Sequence, residues 1–296
     1  MDKIKILLDS TCDRTREQRK EYDLGYLERG VSVDDKTYDA KLDWSNYSVK
    51  EFYGWRREGK RVFTSQVQEP YRKKEFLRYL DEGYQILYIG CSGKLSGSVK
   101  TGFLVADELK KERPEGKVVV IDACISGRGQ GLLGIRASMD REAGRNIDDI
   151  AKDIQDNRLK YNQWGSTRTL TYLKNAGRVK ASAAFFGNRF GVKPIIISDI
   201  NGDNYAYKKV RGRKMALQEI ADSVERTAVD PENHYLAITH ADCEKDALLL
   251  RDRILAKGLK FKGIFINVLG PILGASCGPD TIIAFNFGKE VTLKSE

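Results

Sequence analysis

Gln85-Ile86-Leu87-Tyr88-Ile89, then Leu95-Ser96-Gly97-Ser98, then Val99 through Lys111 are an apolar run, a loop of small hydroxyl residues and a segment with helical spacing. That order, strand to loop to helix, is the repeating unit of an α/β fold. The loop sits where a helix begins. First-turn N–H groups have no partner within a helix, so they and the positive helix end converge on one negatively charged group. Upstream, Val62-Phe63 runs into Thr64-Ser65-Gln66, a second hydroxyl cluster at the end of a short apolar run. The two loops predict a clamp on a single carboxylate or phosphate, made by Thr64, Ser65, Ser96 and Gly97. The competing reading is an ordinary helix cap, which uses the same residue types.

Working outward, Ile4 to Leu8 and Lys117 to Ile121 are further short apolar runs of the kind that lie in a parallel sheet buried on both faces. Helix signals fall between them. Ser48-x-x-Glu51 is a capping box ahead of Phe52, and Phe76, Leu77 and Leu80 repeat at helical spacing. Such sheets bind ligands at the carboxyl ends of their strands, which places Asp9-Ser10-Thr11, Gly90 to Ser98, and Asp122 to Gly127 on one rim.

A length of 296 residues suits two domains. After helix signals over Gly129 to Ala143 and Ile147 to Tyr161, the stretch Asn162-Gln163-Trp164-Gly165 loses periodicity, and the expected division is 1–163 and 164–296. In the second half, Lys193 to Ile197 and Tyr205 to Val210 flank the hairpin signal Asn201-Gly202-Asp203. His234 to Thr239, a helix from Lys245 to Ala256, Lys262 to Asn267 and Thr281 to Phe287 complete an expected mixed sheet with helices on one face.

The chain carries 51 Lys and Arg against 42 Asp and Glu, a net charge of +9 spread along its length. The densest basic stretch, Lys208 to Lys214, comes without a helix-turn-helix, zinc-finger or stacking-aromatic motif, so nucleic acid is not an expected partner and membrane contact is at most transient. No apolar run spans a bilayer and no signal-peptide profile is present, which makes a cytoplasmic location the expectation. Five cysteines without a CxxC pair argue against a disulfide framework and a structural zinc site.

With only His234 and His240, a Ser-His-Asp or Cys-His device has few possible bases. Gly127-Arg128-Gly129-Gln130-Gly131 misses the G-x-G-x-x-G spacing and reads as backbone packing. A rim cysteine (Cys12, Cys91 or Cys124) or serine working with His240 leaves a hydrolase or transferase as the enzymatic alternative, and a basic interaction module as another. Phe185, Phe186 and Phe190, with Phe265 and Ile272, are either core or the lining of a tunnel for an alkyl chain. An anion seat at the end of an apolar slot is what a fatty acid requires.

Taken in order, Asp9-Ser10-Thr11-Cys12-Asp13, Thr64-Ser65-Gln66, Leu95-Ser96-Gly97-Ser98, Val120-Ile121-Asp122, Thr169-Leu170-x-Tyr172-Leu173-Lys174-x-x-Gly177-Arg178-Val179, Lys193-Pro194-Ile195, Lys209-Val210-Arg211 and Gly270-Pro271-Ile272-Leu273-Gly274 resemble the DegV family over nearly the whole chain. The resemblance implies a two-domain α/β fold, a parallel-sheet N-terminal domain and a mixed-sheet C-terminal domain, with a long-chain fatty acid between them. It implies a carrier and not an enzyme: the lipid-carrying subunit that presents a carboxylate to an ATP-dependent fatty acid kinase, with no cofactor besides the bound acid and no metal. Thr64 and Ser96 match the hydroxyls that hold the carboxylate, and Arg211 matches an arginine serving the partner reaction. Ser276 stands where the family usually has a histidine linked to kinase function, Asp280 and Ala176 where it has glycines, and Val67 where it has proline.

Overall fold

The protein is described here by a computed structural model covering residues 3–182, 185 and 191–295. The first half runs through β1 (Lys3–Asp9), α1 (Arg16–Glu21), β2 (Leu24–Leu27), β3 (Gly30–Val33), β4 (Lys36–Asp39), α2 (Val49–Arg57), β5 (Val62–Thr64), α3 (Glu69–Asp81), β6 (Tyr84–Gly90), α4 (Ser98–Glu112), β7 (Val118–Asp122), α5 (Gly127–Glu142) and α6 (Ile147–Asn157). The second half continues through β8 (Tyr161–Ser166), α7 (Thr171–Asn175), β9 (Val192–Ser198), β10 (Asn204–Arg211), α8 (Gly212–Thr227), β11 (Tyr235–His240), α9 (Glu244–Leu255), β12 (Gly263–Val268), α10 (Pro271–Cys277) and β13 (Ile282–Phe287).

The apolar runs of the first half form a four-stranded parallel sheet in the order β2-β1-β6-β7. Both faces are covered, as runs without polar alternation demand. Leu7 and Tyr88 pack with Phe76 of α3 and Val105 and Leu109 of α4. Ile6, Leu8, Leu87 and Ile89 pack with Leu133 of α5 and Ile150 and Ile154 of α6. Each such fully buried side chain contributes roughly 1.5–3 kcal/mol relative to exposure. The capping box at Ser48 and Glu51 is formed and starts α2.

Beside this sheet stands a small antiparallel one, β4-β3-β5, which the residue pattern did not announce. Its register sets Val31 opposite Thr64. Gly30 leaves room there for Ser65 Oγ, which accepts its N–H and would lie 2.5 Å from a Cβ.

The six-stranded mixed sheet has the order β10-β9-β8-β13-β11-β12, with the expected β9–β10 antiparallel pair at one edge. Leu217, Ile220 and Val224 of α8 and Leu250 and Ile254 of α9 cover one face against Trp164, Ile195, Leu236 and Ile238. The other face, carrying Ile196, Ile283 and Phe285, turns toward the N-terminal half and packs on α5.

Asn162-Gln163-Trp164-Gly165 is not an aperiodic connection. It is the middle of β8, buried and paired with β13 along its length. Its polar residues escape an apolar alternation because they have internal partners: Asn162 Nδ2 donates to the carbonyls of Lys160 and Lys289, and Gln163 Nε2 to Asn204 Oδ1 at 2.9 Å. The preceding helix accordingly ends at Asn157, four residues short of Tyr161. Among the described residues no helix is long and apolar enough to cross a membrane.

Candidate functional site

The carboxyl ends of β1, β6 and β7 do share a rim, as the pattern of small polar loops predicts. Thr11, Cys91, Ser96 and Ser126 from these loops line one cavity with about 670 Å³ of open space, mouth included, facing the inner surface of the six-stranded sheet. Its apolar wall is Leu95, Leu173, Ile196, Ile272, Leu273 and Ile283.

Hydroxyl groups line part of this cavity. Ser96 Oγ accepts the Ser98 N–H at 3.2 Å, so it caps the start of α4, and it also accepts Arg29 Nη2 at 3.0 Å. With two donors on its oxygen, the Ser96 hydroxyl hydrogen is left to be given to an acceptor. The helix-cap reading is therefore true of this serine, and capping leaves its hydroxyl hydrogen available to an anion. Thr64, at the end of β5, lines the same cavity, and its hydroxyl makes no hydrogen bond among the described residues.

Arg29 is the residue that the sequence reading missed. Only 6 % exposed, it lines the cavity, donates Nε to the Ser65 carbonyl at 3.1 Å, and pairs with no carboxylate among the described residues. A buried guanidinium without an acidic partner is stabilised by an anion that reaches it, because desolvating an unpaired charge is costly. The sequence held one signal: the charged pair Glu28-Arg29 between the apolar runs Leu24–Leu27 and Val31–Val33, just before the glycine that lets β3 approach Ser65.

The other expected residues divide. Ser276 and Ile272 line the cavity beside Thr64 and Ser96. Ser65 does not: its hydroxyl accepts the Gly30 N–H at 3.1 Å, leaving only its carbonyl to hold Arg29. Gly97 is an exposed N-cap residue next to the seat, outside the cavity. Arg211 is exposed where β10 passes into α8, also outside the cavity. Phe265 is spent on packing, stacked on Tyr235 at 4.9 Å with the Arg14 guanidinium over its ring. Phe185 is half-buried against the core beneath Lys209 and does not reach the cavity; Phe186 and Phe190 lie outside the described residues. Arg178, from the Thr169–Val179 motif, lines the cavity and donates Nε to the Leu95 carbonyl at 3.1 Å, tying that motif to the seat loop.

A nucleophilic cysteine finds no support in this geometry. Burial pushes the Cys91 and Cys277 thiols, both in the cavity wall, up to about 12 from an ordinary 9. His240 is occupied structurally, its Nδ1 accepting the Cys243 N–H at 3.3 Å, and burial lowers its pKa. At pH 8 the thiolate fraction of Cys91 should fall about a thousandfold below that of an ordinary thiol, by simple titration. Iodoacetamide labelling of native protein, followed by peptide mass spectrometry, should therefore be slower than labelling in denaturant by at least that order. Comparable rates would restore the thiol as a catalytic candidate. Among the described residues no three His, Cys, Asp or Glu side chains are grouped to hold a metal.

The DegV family model, whose description is of uncharacterised proteins of that family, matches residues 3–287. The chain belongs to the DegV family. A DegV domain-containing protein of Clostridium perfringens is 30% identical over 288 residues, covering 97% of this chain and 98% of that protein. A DegV family protein from Thermus thermophilus, whose structure concerns its fatty acid binding, is 26% identical with a TM-score of 0.88, covering 97% of this chain and all of that one. A DegV family protein from Ruminococcus gnavus, solved with vaccenic acid, shares the fold at 20% identity and a TM-score of 0.86, covering 96% of this chain and 100% of that one. The α/β architecture with one parallel and one mixed sheet is thus the architecture of this family.

Proposed function

We propose that this DegV chain is a cytoplasmic carrier that holds a long-chain fatty acid in the cavity between its two sheets and presents the carboxylate to a partner ATP-dependent kinase. One observation carries the binding half: a buried arginine without a protein carboxylate among the described residues, Arg29, lines an apolar-walled cavity together with the hydroxyls of Thr64 and Ser96. A carboxylate there completes the ion pair and accepts the Ser96 hydrogen, and the acyl chain lies against Ile196, Ile272 and Ile283. The fatty-acid-binding relatives support the same reading.

Thr64→Ala and Ser96→Ala should each weaken binding of the acid more than of its methyl ester, on the scale of roughly 1.5–3 kcal/mol for a hydrogen bond to a charged group. Titrating delipidated protein with both ligands checks this; equal losses for acid and ester would reduce the two hydroxyls to structural caps. Absence of binding by any long-chain acid to the delipidated wild type would remove the carrier reading itself.

The partner half rests on the exposed position of Arg211, which leaves its guanidinium accessible to a docking protein without taking part in retention of the lipid. Arg211→Ala should keep its fatty acid yet lose partner-dependent acyl phosphate formation, measured at equal lipid loading with an ATP-using kinase. Loss of lipid, or unchanged phosphate production, would contradict that separation.

A further inference from the structure

The inner face of the six-stranded sheet changes character along β8. Gly165, Ile196 and Ile283 are in register across β8, β9 and β13, forming an apolar row under the cavity. Gly165 contributes no side chain, and a Cβ there would meet Ile283 Cγ1 at 3.2 Å, so the strand surface lies bare toward the cavity at this residue. Two residues further along β8, a step of about 6.7 Å in an extended strand, the lining becomes polar again. Gln163 is 5 % exposed and lines the cavity; Nε2 donates to Asn204 Oδ1, while Oε1 accepts nothing among the described residues. Across from the sheet, Ser126 is also 5 % exposed and lines the cavity. It occupies the N-cap position of the 16-residue helix α5, yet its hydroxyl caps no N–H.

Two polar atoms of buried residues, Gln163 Oε1 and Ser126 Oγ, line the same cavity without a protein partner among the described residues, and such atoms are a poor match for methylenes and a good match for an oxygen. An alkyl chain laid against them would forfeit their hydrogen bonds with water and return none. A hydroxyl on the chain gives its hydrogen to Gln163 Oε1 and accepts from Ser126 Oγ; a keto oxygen accepts from Ser126 alone. We propose that the acid selected by this cavity is oxygenated, carrying a hydroxyl or keto group partway along its chain that is held by Gln163 and Ser126. This inference rests on the carrier reading and specifies its ligand class. A carboxylate at Arg29 and a second oxygen at Gln163 fix the acid at two points, which selects both for the group and for its place on the chain.

The test is a competition on delipidated protein between stearic acid and its positional hydroxy and keto isomers. At least one oxygenated isomer should bind about tenfold more tightly than stearic acid, and neighbouring isomers should lose the advantage. Gln163→Leu should abolish a hydroxy-isomer preference and improve stearic acid binding. Ser126→Ala should reduce the preference without altering the strand, which keeps the test valid if the leucine variant misfolds. Binding of stearic acid equal to or tighter than that of every isomer overturns the inference and leaves the carrier reading intact. Failure of all these acids to bind overturns the carrier reading and the inference with it. An unchanged preference in both variants also overturns the assignment of Gln163 and Ser126.

Discussion

Arg29→Met is expected to weaken fatty acid binding by about 2–5 kcal/mol, the scale for truncating one partner of a buried charge pair, or roughly 30-fold to several thousandfold. The substitution keeps the aliphatic stem and removes the guanidinium that now reaches Ser96 Oγ at 3.0 Å and the Ser65 carbonyl at 3.1 Å. Because Arg29 is buried, the loss should persist at high salt, where exposed ion pairs are screened over a few ångströms. The methyl ester, which offers no anion, should lose far less. Calorimetric titration of acid and ester at two ionic strengths checks both points. Parallel losses for acid and ester would mean that Arg29 serves only to hold the β3–β5 loops together.

The second large effect concerns stability. Phe285 is fully buried on β13, its ring wedged against α5 where Gly127 and Gly129 come close: Cβ atoms there would lie 3.0 and 3.1 Å from ring carbons. Gly127, at φ +62°, is one of the positions where only glycine is free of strain. Phe285→Ala should cost about 3–5 kcal/mol, because the cavity left between strand and helix cannot collapse against two glycines. A fall in Tm on the order of 10 °C is expected. Thermal unfolding with and without fatty acid measures it, and a shift within about 2 °C would show that the sheet closes onto α5 without the ring. Leu273, which lines the cavity, lies over the same spot, so loss of ligand stabilisation should accompany loss of stability.

Several features were legible in residue order. The parallel strands announce themselves as apolar runs because both of their faces are covered, and local chemistry sets the capping box at Ser48 and Glu51. The helix cap at Ser96 is readable for the same reason: small hydroxyl residues at a strand-to-helix turn act over two or three residues of chain. The three polar loops reach one rim because parallel strands end on the same side.

Tertiary structure decided the rest. Asn162 and Gln163 look like loop residues until β8 is placed between β9 and β13 and their side chains find partners at positions 289 and 204. Phe265 looks like tunnel lining until Tyr235 takes one face of its ring and Arg14 stands over it. Ser65 and Thr64 are adjacent and chemically alike, yet alternation along the chain sends one hydroxyl to Gly30 and the other to the cavity. Arg29 is the clearest case. Nothing within a few residues of it specifies an anion, since its partners are Ser65 and Ser96, 36 and 67 residues away. The sequence alone determined which segments become strands and helices and where a helix start offers its donors, because those depend on neighbours along the chain. Which side chains meet in the cavity, and whether their charges and hydroxyls are already satisfied, depends on contacts between distant segments and appears only once the sheets are packed together.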